Sequence, residues 1–293
     1  MKFIVIVFAA LLATSASIAE INAVTSTTDL AYFVQEVGGE CVTVSSIASP
    51  LSDVHFVEVR PSYMSKVAKA DVVFRVGLEL DTWMDRIVDG SRNGKLVIVD
   101  CSRHIAPLDV PAFKVDASHG ELHRFGNPHY WLGPKNVAPI VEAVVEGLSS
   151  SDPPHAAEFE ANGSNLMASI EAHLERIRTE AEPLRGKEAV FYHDSWPYLN
   201  EFTGMRATSF IEPFPGVPPT ASQVKKVIED VRGRGIKVIA VEPYFDLRVP
   251  DKIASETGAK VITLYPSIGG RKENETYIEW LEGNIKALVE GMK

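Results

Sequence analysis

A rhythm of short β-branched runs and amphipathic stretches, present once in each half of the chain around a long Ala-, Glu-, Leu- and Arg-rich segment, constrains this sequence most. In the first half Ile21 to Thr25, Val42 to Ile47, Val72 to Val76 and Leu96 to Val99 read as strands, with helical patterns such as Leu30 to Val37 and Pro61 to Ala68 between them. In the second, Ala189 to Tyr192, Thr208 to Ile211, Val238 to Glu242 and Val261 to Leu264 alternate with helical Ala221 to Arg232, Val249 to Thr257 and Thr276 to Glu290. Strands separated by helices run parallel to their neighbours, because the crossover needs the helix. The expected fold class is therefore α/β, with two lobes that each hold a parallel sheet flanked by helices.

Between the halves, a serine and proline break at Ser150 to Pro154 precedes Ala156 to Leu184, where Phe159, Leu166, Ile170, Leu174, Ile177 and Leu184 keep roughly helical spacing. Asn162-Gly163-Ser164 lowers the helical propensity there but leaves the period intact. One continuous linker helix of ~28 residues, about 40 Å long, is expected to join the lobes stiffly and to allow only modest closure. The resulting division is a signal peptide over 1–19, an N-terminal lobe over 20–151, the linker helix over 152–184 and a C-terminal lobe over 185–293.

The signal peptide rests on a start of Met-Lys, an apolar run from Phe3 to Leu12, and small residues at Ser17 and Ala19 that place cleavage after Ala19. That run falls short of the ~20 residues a membrane span needs. With no cysteine near the cleavage point no lipid anchor is expected, and a periplasmic location fits. Losing Lys2 leaves 28 basic against 39 acidic residues, a net charge of −11 that makes nucleic acid and anionic membrane poor partners. Cys41 opens one strand and Cys101 closes another, at opposite ends of a parallel sheet, so they are expected to stay unpaired.

Three histidines lie just beyond strand-like or loop segments in dissimilar contexts: Asp53-Val54-His55-Phe56-Val57-Glu58, Asn127-Pro128-His129-Tyr130-Trp131-Leu132 and Tyr192-His193-Asp194-Ser195-Trp196. In open parallel sheets ligands bind beyond the carboxyl ends of the strands, so the three imidazoles can face one cleft between the lobes. Neutral imidazoles suit zinc, whereas manganese and magnesium prefer oxygen. Ligand histidines usually donate their second ring N–H to an acceptor, and Glu58, Asp194 and Glu242 are candidates for that support.

With those residues in view, the chain resembles the periplasmic zinc/manganese solute-binding proteins of ABC importers, the TroA-like or ZnuA-like group. The matching features are Asp-x-His-x-x-Glu-x-x-Pro-Ser at Asp53 to Ser62, Asn-Pro-His-Tyr-Trp-Leu, Tyr-His-Asp-Ser-Trp-x-Tyr-Leu at Tyr192 to Leu199, and Val241-Glu242-Pro243. The resemblance spans nearly the whole mature chain. It implies two lobes joined by a long helix, His55, His129 and His193 as metal ligands, zinc as cargo ahead of manganese, and a membrane permease as partner. A monomer and a periplasmic metallochaperone are further expectations.

Two departures stand out. Where that group usually carries a carboxylate after its last strand, this chain has Leu264-Tyr265-Pro266, which leaves a fourth ligand open among a water, the Tyr265 phenol, Glu58 and a carboxylate from elsewhere. A phenol must lose a proton of pKa near 10 to ligate zinc, so a water or a nearby carboxylate is expected instead. The stretch from His104 to Gly126, which carries long His runs in many zinc-specific relatives, holds only His104, His119 and His123 here, so scavenging by it should be weak. His119 and His123 are assigned at most a transient metal role, and His155 and His173 read as solvated residues of the linker.

Trp131, Trp196 and Tyr198 are expected to pack beneath the site as apolar walls, Arg60-Pro61-Ser62 to start a helix, and Gly269-Gly270 to form a turn. The function implied is capture of zinc in the cleft and delivery to an ABC permease, without catalysis. The alternative is a zinc hydrolase with a three-His site, an activated water and Glu58 or Asp194 as base. Against it, no His-Glu-x-x-His motif is present.

Overall fold

In the computed structural model, residues 20–113 and 123–293 are described; the expected signal peptide and His119 lie outside them. The N-terminal lobe contains β1 (Ile21–Thr25), α1 (Thr28–Gly38), β2 (Val42–Ser46), α2 (Pro61–Val67), β3 (Val72–Arg75), α3 (Trp83–Ser91), β4 (Val97–Asp100) and α4 (Val137–Ser151). The long helix α5 (Ala156–Ala181) follows. The C-terminal lobe contains β5 (Glu188–Phe191), α6 (Pro197–Thr203), β6 (Arg206–Phe210), α7 (Ala221–Arg234), β7 (Val238–Val241), α8 (Arg248–Thr257), β8 (Lys260–Thr263) and α9 (Tyr277–Gly291).

Each lobe holds a four-stranded sheet, in the orders β2-β1-β3-β4 and β6-β5-β7-β8, and all strand pairs are parallel. The two lobes thus repeat one topology although their sequences differ. Cys41 and Cys101 border β2 and β4 at opposite edges of the first sheet, and both are buried free thiols.

Side-chain alternation along the strands divides the interior into layers. Val72 and Phe74 of β3 join a central core while Val73 joins a smaller one with Trp83, Met84 and Ile87 of α3. In the other lobe Val238 and Ala240 of β7 face the central core, and Ile239 and Val241 face α7 and α8. Both faces of each sheet are therefore covered, as a parallel sheet requires. The central core runs through both lobes without a break, from Phe33 and Val144 to Leu281 and Ile285. Helix α5 packs against α1, α4 and α9 and so touches both lobes. It passes through Asn162-Gly163-Ser164 uninterrupted, with Gly163 buried where a larger residue would meet Val145 and Val141 of α4.

Local signals explain several helix starts. Thr27, Thr220 and Thr276 accept the N–H groups of Leu30, Gln223 and Glu279, and Thr276 with Glu279 completes a reciprocal capping box. Pro61 occupies the first position of α2, as its fixed φ favours. Gly269, at φ +85, forms the turn expected after β8.

Candidate metal centre

His193 follows β5 by two residues, His55 lies in the loop after β2, and His129 lies in the connection between β4 and α4. All three stand beyond the carboxyl ends of strands and meet between the lobes. One ring nitrogen from each lies within 4.8 Å of the other two. Ring centroids are 5.1 Å apart for His55 and His129, 5.0 Å for His55 and His193, and 5.5 Å for His129 and His193. Zinc bound at ~2.0–2.1 Å puts the ion roughly 3.2 Å from each ring centre, so tetrahedral ligands have centroids about 5.2 Å apart. The observed triangle fits that spacing.

Two of the rings are oriented by carboxylates. His55 Nδ1 lies 2.7 Å from Asp53 Oδ1, which also accepts the His55 backbone N–H at 3.0 Å. His193 Nδ1 lies 2.9 Å from Glu212 Oε2, and the other Glu212 oxygen accepts the Gly216 N–H. An ionised carboxylate only accepts, so each Nδ1 carries the proton and the Nε2 lone pair is left for a ligand. His55 Nε2 and both nitrogens of His129 are buried with no hydrogen-bond partner among the described residues. Buried polar atoms are normally paired, so unpaired imidazole nitrogens converging on one point match the needs of a cation.

Burial holds His129 well below the ordinary histidine pKa, reinforced by the neighbouring His55, His193 and His123, so the ring is neutral and ready to coordinate. Burial acts the same way on His193, but Glu212, through its hydrogen bond and charge, together with the charges of Glu242 and Asp53, outweighs it and raises the pKa. For Asp53, burial is outweighed by the hydrogen bond and charge of His55, leaving the carboxyl below its usual range.

The remaining expected residues fall differently. Glu58 is 74% exposed and paired with Arg60, so it neither ligates nor supports the histidines. Tyr265 follows β8, but its ring lies against the Arg271 guanidinium, its N–H is donated to Asn284, and its carbonyl accepts from Trp280. Asp194 lines the cleft and its backbone carbonyl accepts from Asn127; burial and the nearby Asp109 push its carboxyl up to about 6. Glu242 acts at one remove, accepting from Ser195 Oγ and Trp196 Nε1 beneath the site. The carboxylates that touch these histidines are thus Asp53, inside the quoted motif but not singled out, and Glu212, which sequence reasoning missed. Glu212 had a signal: it directly follows the Thr208 to Ile211 run, a strand-end position like that of His193.

The aromatic residues do form the floor. The Trp131 ring stands edge-on to His129 at 5.3 Å, Trp196 is buried, and the Tyr198 hydroxyl donates to Asn127 O while accepting the Leu108 N–H. His104 and His173 are exposed, near Glu146 and bonded to Ser169 O. His155 is half-buried and bonded to Asp152, so it is less solvated than the sequence implied. His123 is also buried, and forms one wall of a cleft of about 300 Å³ with His129, His193 and Phe210.

Residues 23–291 match the family described as zinc-uptake complex component A, periplasmic, or ZnuA. The chain belongs to this family. Among relatives, the iron-binding protein YfeA of Yersinia pestis is 25% identical over 99% of this chain and 94% of its own length. The high-affinity zinc uptake system protein ZnuA of Brucella abortus (strain 2308) is 23% identical over 72% of this chain and 73% of its own. A crystal structure of ZnuA superposes with a TM-score of 0.80 at 21% identity, covering 92% of this chain and 98% of the other. The two-lobed α/β architecture is therefore that of the ZnuA fold. Membership in a family of periplasmic metal-uptake components sets the hydrolase alternative aside. No helix among the described residues is long and apolar enough to cross a membrane.

Proposed function

We propose that this ZnuA-family chain captures zinc between its lobes through His55, His129 and His193 and hands it, as cargo, to an ABC permease for uptake. The observation that carries the reading is the convergence of three buried imidazoles, two oriented by carboxylates and one with both nitrogens unpaired. Three nitrogens favour zinc over manganese, which prefers oxygen donors. A neutral, desolvated His129 offers its lone pair without first losing a proton. Because imidazoles bind metal only when neutral, acidification loosens the cargo. Asp53 and Glu212 would maintain tautomer and direction while the metal comes and goes.

The test is metal analysis and zinc titration of chelator-stripped mature protein beside His193→Ala. One tightly held zinc per chain, preferred over manganese and weakened by the substitution, is expected. No uptake of zinc, or uptake indifferent to His193, would overturn the reading.

A further inference from the structure

At the end of the first sheet opposite the cleft, two chain corners bring a second set of metal-ligating groups together. Cys41 closes the turn Gly39–Cys41 between α1 and β2, His155 closes the turn Pro153–His155 between α4 and α5, and Glu158 lies in the first turn of α5. One donor atom from each of Cys41, His155 and Glu158 lies within 4.8 Å of the other two, the same bound that the cleft histidines meet. Tetrahedral zinc with one thiolate, one imidazole and one carboxylate holds its donors about 3.3–3.6 Å apart, so closing in by about 1 Å suffices. His155 is half-buried and Glu158 exposed, which leaves both side chains room for that adjustment.

Packing fixes the two corners. Pro153 and Pro154 restrict the backbone before His155, and Asp152 Oδ2 lies 2.6 Å from His155 Nδ1, the relation that Asp53 bears to His55. Asn162, one turn past Glu158 on α5, donates its Nδ2 to Val37 O near the end of α1 at 3.0 Å, and so pins α5 against the corner that carries Cys41. Cys41 is 1% exposed and lies just beneath the surface. Its thiol is hydrogen-bonded to the Glu158 carboxylate, and the charges of Asp152 and Glu40 also reach it. A divalent cation at this corner meets complementary charge.

We infer that Cys41, His155 and Glu158 form a second metal site, apart from the cleft, that takes zinc through a thiolate, an imidazole and a carboxylate. Sulfur and nitrogen donors select against manganese and magnesium, which prefer oxygen. Binding breaks the Cys41 S–H bond, forms a sulfur–zinc bond and releases the proton to solvent. That proton, together with the exposure of Glu158, makes this site weaker than the one proposed in the cleft, so its zinc adds to the single tightly held ion. Lying within one lobe and the linker helix, it needs no lobe movement, and it fastens the start of α5 to the corner between α1 and β2. The two sites share no residue, so each can fail alone.

The test titrates reduced, chelator-stripped mature protein with cobalt(II) and zinc, comparing wild type, Cys41→Ser, His155→Gln, Glu158→Gln and His193→Ala. Thiolate-to-cobalt charge transfer in the near ultraviolet reports sulfur ligation. Protection of Cys41 from iodoacetamide by zinc, read by peptide mass spectrometry, reports the same contact for zinc. Expected in the wild type is a second equivalent of metal that brings in the charge-transfer band and protects Cys41. Cys41→Ser should lose the band, and His155→Gln and Glu158→Gln should weaken the second equivalent at least about tenfold, the lower end of what losing even an outer-shell partner costs. All three should leave the first equivalent unchanged, and the band should persist in His193→Ala. Thermal unfolding of the metal-free variants shows that each is folded, and if Cys41→Ser is not, His155→Gln carries the comparison. No band at saturating cobalt, a band that survives Cys41→Ser or is lost in His193→Ala, or binding indifferent to His155→Gln and Glu158→Gln overturns the second site. A single equivalent that carries the band and ignores His193→Ala overturns the three-histidine reading instead.

Discussion

Replacing Glu212 by glutamine isolates the buried contact that orients His193, the ligand proposed from the C-terminal lobe. Glu212 accepts from His193 Nδ1 at 2.9 Å and is itself buried, so the bond is charge-assisted and shielded from water. Bonds to charged groups contribute about 1.5–3 kcal/mol. A 10–100-fold loss of metal affinity on removing such a partner corresponds to roughly 1.4–2.8 kcal/mol, the same range reached independently. Glu212→Gln should therefore raise the Kd for zinc by 10- to 100-fold at pH 8, read by competition with a chromophoric chelator. The pH dependence gives a second check. Glu212 is among the groups that raise the His193 pKa, so in the wild type protons begin to compete with zinc above the ordinary histidine range. Without that negative charge, burial presses the pKa down and the competition starts at lower pH. The ratio of variant to wild-type Kd should thus shrink as the pH falls from 8 to 6. An unchanged Kd at pH 8, or a ratio flat across that interval, would refute the assignment of Glu212 as the group that orients His193.

Other substitutions probe the rest of the frame. Burial pushes the Asp29 carboxyl from 3.8 to about 7. The folded state then holds the proton longer than the unfolded one, and metal-free protein should lose on the order of 2–3 kcal/mol of stability between pH 5 and pH 8 from this group. Asp29→Asn should flatten that part of the profile in urea unfolding, and an unaltered profile would count against a strained carboxylate. Glu58→Gln and Tyr265→Phe should each leave the zinc Kd within about twofold, as surface changes outside the ligand set do; a tenfold loss in either would return it to the site. A Cβ on Gly133 would stand 2.6 Å from Tyr198 Cβ, so Gly133→Val should force the His129 segment off α6 and destabilise the protein by about 1–3 kcal/mol, with weaker zinc binding in parallel. A thermal midpoint equal to wild type would exclude that clash.

The period-2 and period-3.6 patterns made the eight strands and most helices legible, because fully covered parallel strands leave long β-branched runs between amphipathic segments. Helix α3 was not read from the sequence although Trp83, Met84 and Ile87 form its buried face; it is only 9 residues long, and Gly90 near its end, packed against Met64, lowers its helical propensity. Within the site, the three histidines were legible by their positions beyond strand ends, whereas the carboxylates that bond to them were not. Asp53 lies two residues before His55 and can only be recognised once the backbone turns its carboxylate onto Nδ1. Glu212 lies two residues past the end of β6, which sheet pairing places beside β5 and so beside His193. Glu58, three residues past His55, looked well placed in one dimension, but its side chain points outward to Arg60. Proximity along the chain and proximity in the cleft diverge wherever the backbone leaves regular structure, which is where His55, His129 and His193 all sit.

The same geometry bears on how far the lobes can separate. His129 belongs by sequence to the N-terminal lobe, yet its segment is fastened to the C-terminal one: Trp131 Nε1 donates to Pro266 O, Tyr277 Oη to Trp131 O, Tyr198 Oη to Asn127 O, and Asn127 Nδ2 to Asp194 O. On the far side of the cleft Thr28 donates to Ile268 O, and Asp29 accepts the Ile268 N–H. These groups are mostly buried, and a buried donor or acceptor left without a partner costs about 1–3 kcal/mol. A wide hinge opening would break several of them together and expose a core that runs through both lobes. His55 has a different footing, since its loop after β2 is tied to the ligand mainly by Asp53 within the same turn and by the Trp83 indole bonded to Val54 O. With the ligand set proposed above, a local movement of the His55 loop would break fewer buried hydrogen bonds than a separation of the lobes.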